Sequence, residues 1–186
     1  MRTILLGACM LMLMVTACKN EPEKTTQPAI GTEPATETKA PAPAEFADQK
    51  YIDIGKKAWQ QFESGDVDGW ASNFTDNAVY RWSAGDSLAG RAAIVKYWKD
   101  RRANVIDSLH FSNEIWLPIT VNQPQSVETK GTWLLNWYQV NVTYKNKQHL
   151  MFWVHTDMHF TNDNMIDEAI QYIDRAPINA ALAKKK

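Results

Sequence analysis

From Tyr51 onward the spacing of apolar positions switches between helical and alternating, and the switches mark the elements. Tyr51, Ile54, Ala58 and Phe62 recur at helical spacing, and Gly65 closes that segment. Asp66 then offers a carboxylate cap to a short second helix, with Trp70 and Phe74 four apart on one face. "NAVYRW", Asn77 to Trp82, predicts a strand, and "AGDS" turns the chain. A third helix is predicted over Gly90 to Val105. Ile94, Tyr97 and Trp98 form its buried side, and Arg91, Lys99, Arg101 and Arg102 stay wet. The period then becomes two. "LHFSNEIWLPITV" puts Leu109, Phe111, Ile115, Leu117 and Ile119 on one face. Thr132 to Tyr144, a turn at "KNKQ", and His149 to Phe160 predict a long antiparallel hairpin, and Met165 to Asp174 the last strand. Helices first and antiparallel strands afterwards predict an α+β fold, with three helices against one face of a curved sheet.

Alternation also assigns faces, because successive strand side chains point to opposite sides. Along His149 to Phe160, the set Phe152, Val154, Thr156, Met158 and Phe160 should face the helices. Trp153, His155, Asp157 and His159 should lie outside. On the partner strand Leu134, Asn136, Tyr138, Val140 and Val142 are inward, and Trp133, Leu135, Trp137 and Gln139 outward. A β-bulge between Met151 and His155 would exchange the two sets and turn His155 and Asp157 inward.

The ends of the chain carry a different message. Arg2 and the apolar run Ile4 to Ala17, which ends in small residues, follow the plan of a secretory signal peptide. The run is too short to span a bilayer comfortably. "VTAC", Val15 to Cys18, resembles the lipobox of bacterial lipoproteins, which implies cleavage after residue 17 and a lipid on Cys18. Cys9 would leave with the signal, so the mature chain would hold no free thiol and no disulfide. Residues 18–46 contain five of the eight prolines, with Thr, Glu, Ala and Lys around them. Such a segment cannot pack a core and predicts a linker. Residues 47–178 then form one domain, and residues 179–186 are expected as a frayed basic tail. The implied location is the cell envelope, anchored to the outer membrane. A net charge of −1 gives no field that would attract nucleic acid.

The order "GDVDGW…F.D.AVY", "G.AAIVKYW", the long hairpin and "F..DNMID" resembles the nuclear transport factor 2-like superfamily, which includes SnoaL-like proteins and ketosteroid isomerase. The resemblance covers nearly the whole globular part. It implies a cone: a bent sheet wrapped around helices, with a pocket at the open end. Ketosteroid isomerase uses a carboxylate base and two acidic hydrogen-bond donors. At the corresponding positions this chain carries Trp82, Ala58 and Thr156. Indole and methyl groups take no proton, and a Thr hydroxyl is a poor acid. That chemistry is therefore not expected, and the chain leans away from catalysis.

The pocket inferred from these faces is lined by Ala58, Tyr80, Trp82, Trp98, Asn113, Asn136, Tyr138 and Thr156, with Met158 and Val154 deeper. It is aromatic, with neutral hydrogen-bonding groups, and suits a flat or apolar small molecule. No metal site and no cofactor are expected. Two other readings stay open. One is a SnoaL-like isomerase, cyclase or hydrolase using Tyr80, Tyr138, His155 or Asp157. The other is a filled cone that serves interaction only. Trp133, Leu135, Trp137 and Trp153 on the outer face form an apolar patch that a homodimer would bury.

Overall fold

The computed structural model describes residues 40–125 and 127–183. The expected signal segment, Cys18 and most of the expected linker lie outside the described residues. The elements run β1 (Ala44–Phe46), α1 (Lys50–Ser64), α2 (Val67–Ala71), β2 (Phe74–Trp82), β3 (Ser87–Ala89), α3 (Arg91–Asn104), β4 (Ile106–Val121), β5 (Gly131–Tyr144), β6 (His149–Phe160), β7 (Ile166–Tyr172) and α4 (Ala176–Ala183). The strands form one seven-stranded sheet in the order β1-β4-β5-β6-β7-β2-β3. Every neighbouring pair is antiparallel except β2 with β7. The predicted α+β class and the curved sheet with helices on one face are what the molecule has.

Local chemistry explains the helix ends. Gly65 closes α1 in the left-handed region at φ 90°, where its N–H reaches the Phe62 carbonyl. Asp66 caps α2 by accepting the Gly69 N–H at 2.8 Å. The face of α1 that meets the sheet carries Ile52, Gly55, Ala58, Trp59 and Phe62. Gly55 lies hard against β4 and β5: a Cβ there would be 2.6 Å from both Leu134 Cδ2 and Trp116 Cζ3.

Three sequence expectations change here. First, the face of β4 switches. Asn113 sits at φ 52°, and the pairing with β5 slips between Ser112 and Ile115. Leu109 and Phe111 face the helices, but beyond the bulge Trp116 and Pro118 pair with the inward Asn136 and Leu134. Ile115 is left 56% exposed, and Leu117 and Ile119 move to the outer face opposite Leu135 and Trp133. Second, the chain does not fray after Ile178. It continues as α4, because Ile178 and Ala181 bury their side chains and Asn146 Nδ2 donates to the Ala181 carbonyl. Third, the end of the expected linker is a strand, since Ala44–Phe46 pairs with Ile119–Val121.

Candidate functional site

The inner face of the sheet, α1, α3 and α4 surround a cavity of about 240 Å³. Its walls are aromatic. Helix α1 contributes Trp59 and Phe62, α2 Trp70, β2 Tyr80 and Trp82, and α3 Tyr97 and Trp98. Phe111 and Tyr138 close the β4–β5 side, and α4 adds Ile178, Asn179 and Leu182. The rings pack against one another. Tyr80 lies 5.0 Å from Trp82, Trp82 5.2 Å from Tyr97, and Tyr138 5.3 Å from Trp59 and 5.1 Å from Phe111. Such tilted and edge contacts fix ring orientation beyond simple area burial.

A neutral hydrogen-bond chain links four strands beneath these rings. Trp82 Nε1 donates to Gln171 Oε1 at 2.9 Å, Gln171 Nε2 donates to the Tyr138 hydroxyl at 3.2 Å, and Tyr138 meets Thr156 Oγ1 at 3.1 Å. The register makes the chain possible, because Gln171 pairs with both Trp82 and Thr156 across β2–β7–β6. Burial pushes the Tyr138 phenol up to about 12, against the opposing effect of its bonds to Thr156 and Gln171. Burial likewise holds the Tyr80 phenol well above its ordinary value, with the Arg175 charge pulling the other way. Both phenols therefore stay protonated at neutral pH, able to donate a hydrogen bond but not to act as bases.

Of the residues read from sequence as pocket lining, Tyr80, Trp82, Trp98, Tyr138 and Val154 do line the cavity. Five others do not. Ala58 is buried in the helix–sheet core. Asn113 is turned out by the bulge and donates to Gln139 on the surface. Asn136 is spent inside the core, accepting from Trp59 Nε1 at 2.8 Å and donating to the Ile115 carbonyl. Thr156 sits behind Tyr138, and Met158 is deeper still. The sequence reading missed Gln171, Arg101, Arg175 and the α4 residues. Gln171 shares its parity with Ala169 and Ile173 but also with the polar Asp167, so alternation did not single it out. The placement of α4 over the cavity had none.

The outer-face histidines remain outside. Pairing of β5 with β6 runs without a slip from Thr132↔Phe160 to Thr143↔His149, so no bulge turns His155 or Asp157 inward. His155 Nε2 lies 2.6 Å from Asp157 Oδ1, and its ring stacks on Trp137 at 4.3 Å. His159 Nδ1 is 2.6 Å from Asp167. The apolar outer patch also needs correction. Trp133 is 0% exposed, because its indole is held by the Thr129 carbonyl from the β4–β5 loop and it packs with Val121 and Ile170. Leu135 packs partly buried against that small cluster, while Trp153 stays 52% exposed. Among the described residues no group of three His, Cys, Asp or Glu could hold a metal.

This geometry has a counterpart in known proteins. The model of the SnoaL-like domain matches residues 53–168. The chain belongs to the SnoaL-like family. With it comes membership of the nuclear transport factor 2-like superfamily, and solved structures with the same fold agree. A protein of Xanthomonas campestris pv. campestris, provisionally assigned as a polyketide cyclase, is 13% identical with a TM-score of 0.59, over 73% of this chain and 98% of that one. A nuclear transport factor 2-like protein of unknown function from Burkholderia pseudomallei is 11% identical with a TM-score of 0.58, over 74% and 100%. An epoxide hydrolase of M. tuberculosis is 14% identical with a TM-score of 0.51, over 72% and 89%. At such identities the SnoaL-like domain shares a fold with these proteins, and fold alone does not choose among their chemistries. No match is found among curated proteins.

Proposed function

We propose that this SnoaL-like domain binds a small apolar or aromatic molecule in its cavity without transforming it, on a lipoprotein anchored through Cys18 to the outer membrane. The observation that carries the binding role is the composition of the cavity wall. It holds closely packed aromatics, two arginines and neutral amides and phenols and, among the described residues, no carboxylate or imidazole. The polar groups of its floor are committed to one another through Trp82, Gln171, Tyr138 and Thr156. A floor so arranged is a rigid platform, and general acid–base work would require a group free to exchange a proton. A cavity of about 240 Å³ exceeds the ~150 Å³ that admits benzene, and falls below the ~300 Å³ lower bound for drug-sized ligands. The fitting guest has one or two fused rings.

Intrinsic tryptophan fluorescence tests the claim directly. Titration with a panel of one- and two-ring aromatics should perturb the emission of the wild-type protein saturably. Trp82→Ala should weaken binding by up to roughly tenfold, given the ~0.5–1.5 kcal/mol that an aromatic pair contributes. Equal affinities for the two proteins would count against the cavity as the binding site. Steady conversion of any panel member by the wild-type protein would overturn the non-catalytic part of the reading.

A further inference from the structure

The cavity is apolar through most of its wall, but its charge is one-sided. The two ionisable side chains on it that carry charge at neutral pH are Arg101 and Arg175. Arg175 follows β7 and is fixed from two directions. Its guanidinium lies 4.9 Å over the Trp82 ring, and Nη1 bonds to Asp86 at 3.0 Å. Trp82 is itself held by Gln171, so the platform under the cation does not swing. A guanidinium is planar, and pinning one amine sets the direction of the other. That other amine, Nη2, is buried and has no hydrogen-bond partner. The Trp98 Nε1 donor, also on the cavity wall, is buried and equally unpaired. Arg101 sits beside Tyr97, 5.7 Å from its ring, and its charge reaches the buried Tyr144 phenol.

Among the described residues no carboxylate lines the cavity. Asp86 is ion-paired with Arg175, and Asp174 and Asp100 lie off the wall, bonded to the Ala176 N–H and to Asn104. The charge that the wall itself presents to a guest is that of its two guanidinium groups. Unpaired buried donors are costly, and a charged donor more so. A guest that supplies an anionic acceptor at one end and an aromatic or alkyl body at the other satisfies both parts of the wall. A guanidinium selects a carboxylate in particular.

From this arrangement we infer that the ligand is a small hydrophobic monocarboxylic acid, its carboxylate taken by Arg175 with help from Arg101 and its body lodged among Trp82, Tyr80 and Trp98. The inference rests on the binding function proposed above and adds the ligand's charge.

The test uses benzoate, trans-cinnamate and 2-naphthoate, each measured by calorimetry against its own carboxamide. Acid and amide share shape and differ in charge. The wild-type protein should bind at least one acid roughly tenfold to a hundredfold more tightly than its amide, the range of a charge-assisted hydrogen bond. Arg175→Gln should abolish that preference and leave amide affinity within about twofold of wild type. Lys147→Gln provides the control for folding and bulk charge, since it removes a cation whose exposed ion pair with Asp107 lies off the cavity wall. It should keep the preference for the acid. Loss of the preference in Lys147→Gln as well as in Arg175→Gln would make the effect one of net charge or structure and overturn the inference. Equal binding of acids and amides by the wild-type protein would overturn the inference alone and leave apolar binding standing. Binding of no panel member would overturn both.

Discussion

Tyr138 shows how one side chain ties the site to the stability of the whole domain. Its hydroxyl is the centre of the chain from Trp82 to Thr156, and burial pushes its phenol from the ordinary 10.0 to about 12. The folded state thus keeps a proton that the unfolded chain releases at lower pH. The associated stability is fully present below about pH 10 and is lost as pH rises toward about 12. Tyr80, Tyr144 and Tyr172 shift in the same direction, chiefly through burial, and steepen the loss. Urea midpoints measured from pH 8 to 11 should therefore fall on the alkaline side, and Tyr138→Phe should make the fall shallower. That substitution should also cost about 1–3 kcal/mol at neutral pH, because it strands the Gln171 amide and the Thr156 hydroxyl in the core. An unchanged alkaline slope in Tyr138→Phe would remove Tyr138 as a contributor. The inward position of Tyr138 was legible from alternation alone, since the β5–β6 register never slips. Its partner Gln171 was not. Reading a cross-strand bond requires knowing that β7 lies between β2 and β6, and β2 and β7 pair in parallel from opposite ends of the domain sequence.

Among the elements, α1 is the one whose seat is most tightly specified. Helical spacing gave Ala58 and Phe62 of its buried face, with Tyr51 and Ile54 at the edge, but missed Ile52, Gly55 and Trp59 and could not show how close the helix comes to the sheet. Gly55 is the point of closest approach, where a methyl group would meet Leu134 and Trp116 at 2.6 Å. Leu134 is fully buried and the indole is a rigid plate, so neither gives way cheaply. Gly55→Ala gains up to ~1 kcal/mol of helix propensity and loses ~1–3 kcal/mol to overpacking, for a net loss near 1 kcal/mol. Gly55→Val adds a second methyl and a β-branch, and should cost clearly more. Chemical denaturation of the two variants checks the order, and a stabilised Gly55→Ala would show that the contact relaxes freely. Elements were misread where a single backbone feature intervened. The left-handed Asn113 resets the parity of β4, so Ile115, Leu117 and Ile119 were assigned to the wrong side. The α4 sequence is short and alanine-rich, with its amphipathic signal confined to Ile178, Ala181 and Leu182. Those residues pack on the main core, where α4 meets β6, a placement that the spacing of the helix alone does not show.

At the scale of the whole chain, the domain and the sequence before it make separate demands. The described contacts of the domain reach back to Pro41: the carbonyls of Pro41 and Ala42 accept from the Gln123 and Asn122 side chains, and that of Pro43 accepts the Asn122 and Gln123 N–H groups. Between Cys18 and Pro43 stand 24 residues, numbers 19 to 42, which covalent geometry lets reach at most roughly 85 Å. A cavity that binds a hydrophobic acid gains from being held near a membrane, where such molecules partition. The "VTAC" ending of the apolar run places a modifiable thiol at the head of that spacer. Cys18→Ser removes the thiol and changes nothing in the described domain. In cells expressing the full chain, wild-type protein should sediment with membranes, and Cys18→Ser should leave the membrane fraction. The two purified proteins should bind the aromatic panel with affinities within about twofold of each other, because the cavity residues run from Trp59 to Leu182. Continued membrane association of Cys18→Ser would exclude a lipid on that residue as the anchor. A loss of ligand affinity in the same variant would show that the segment before the domain takes part in binding.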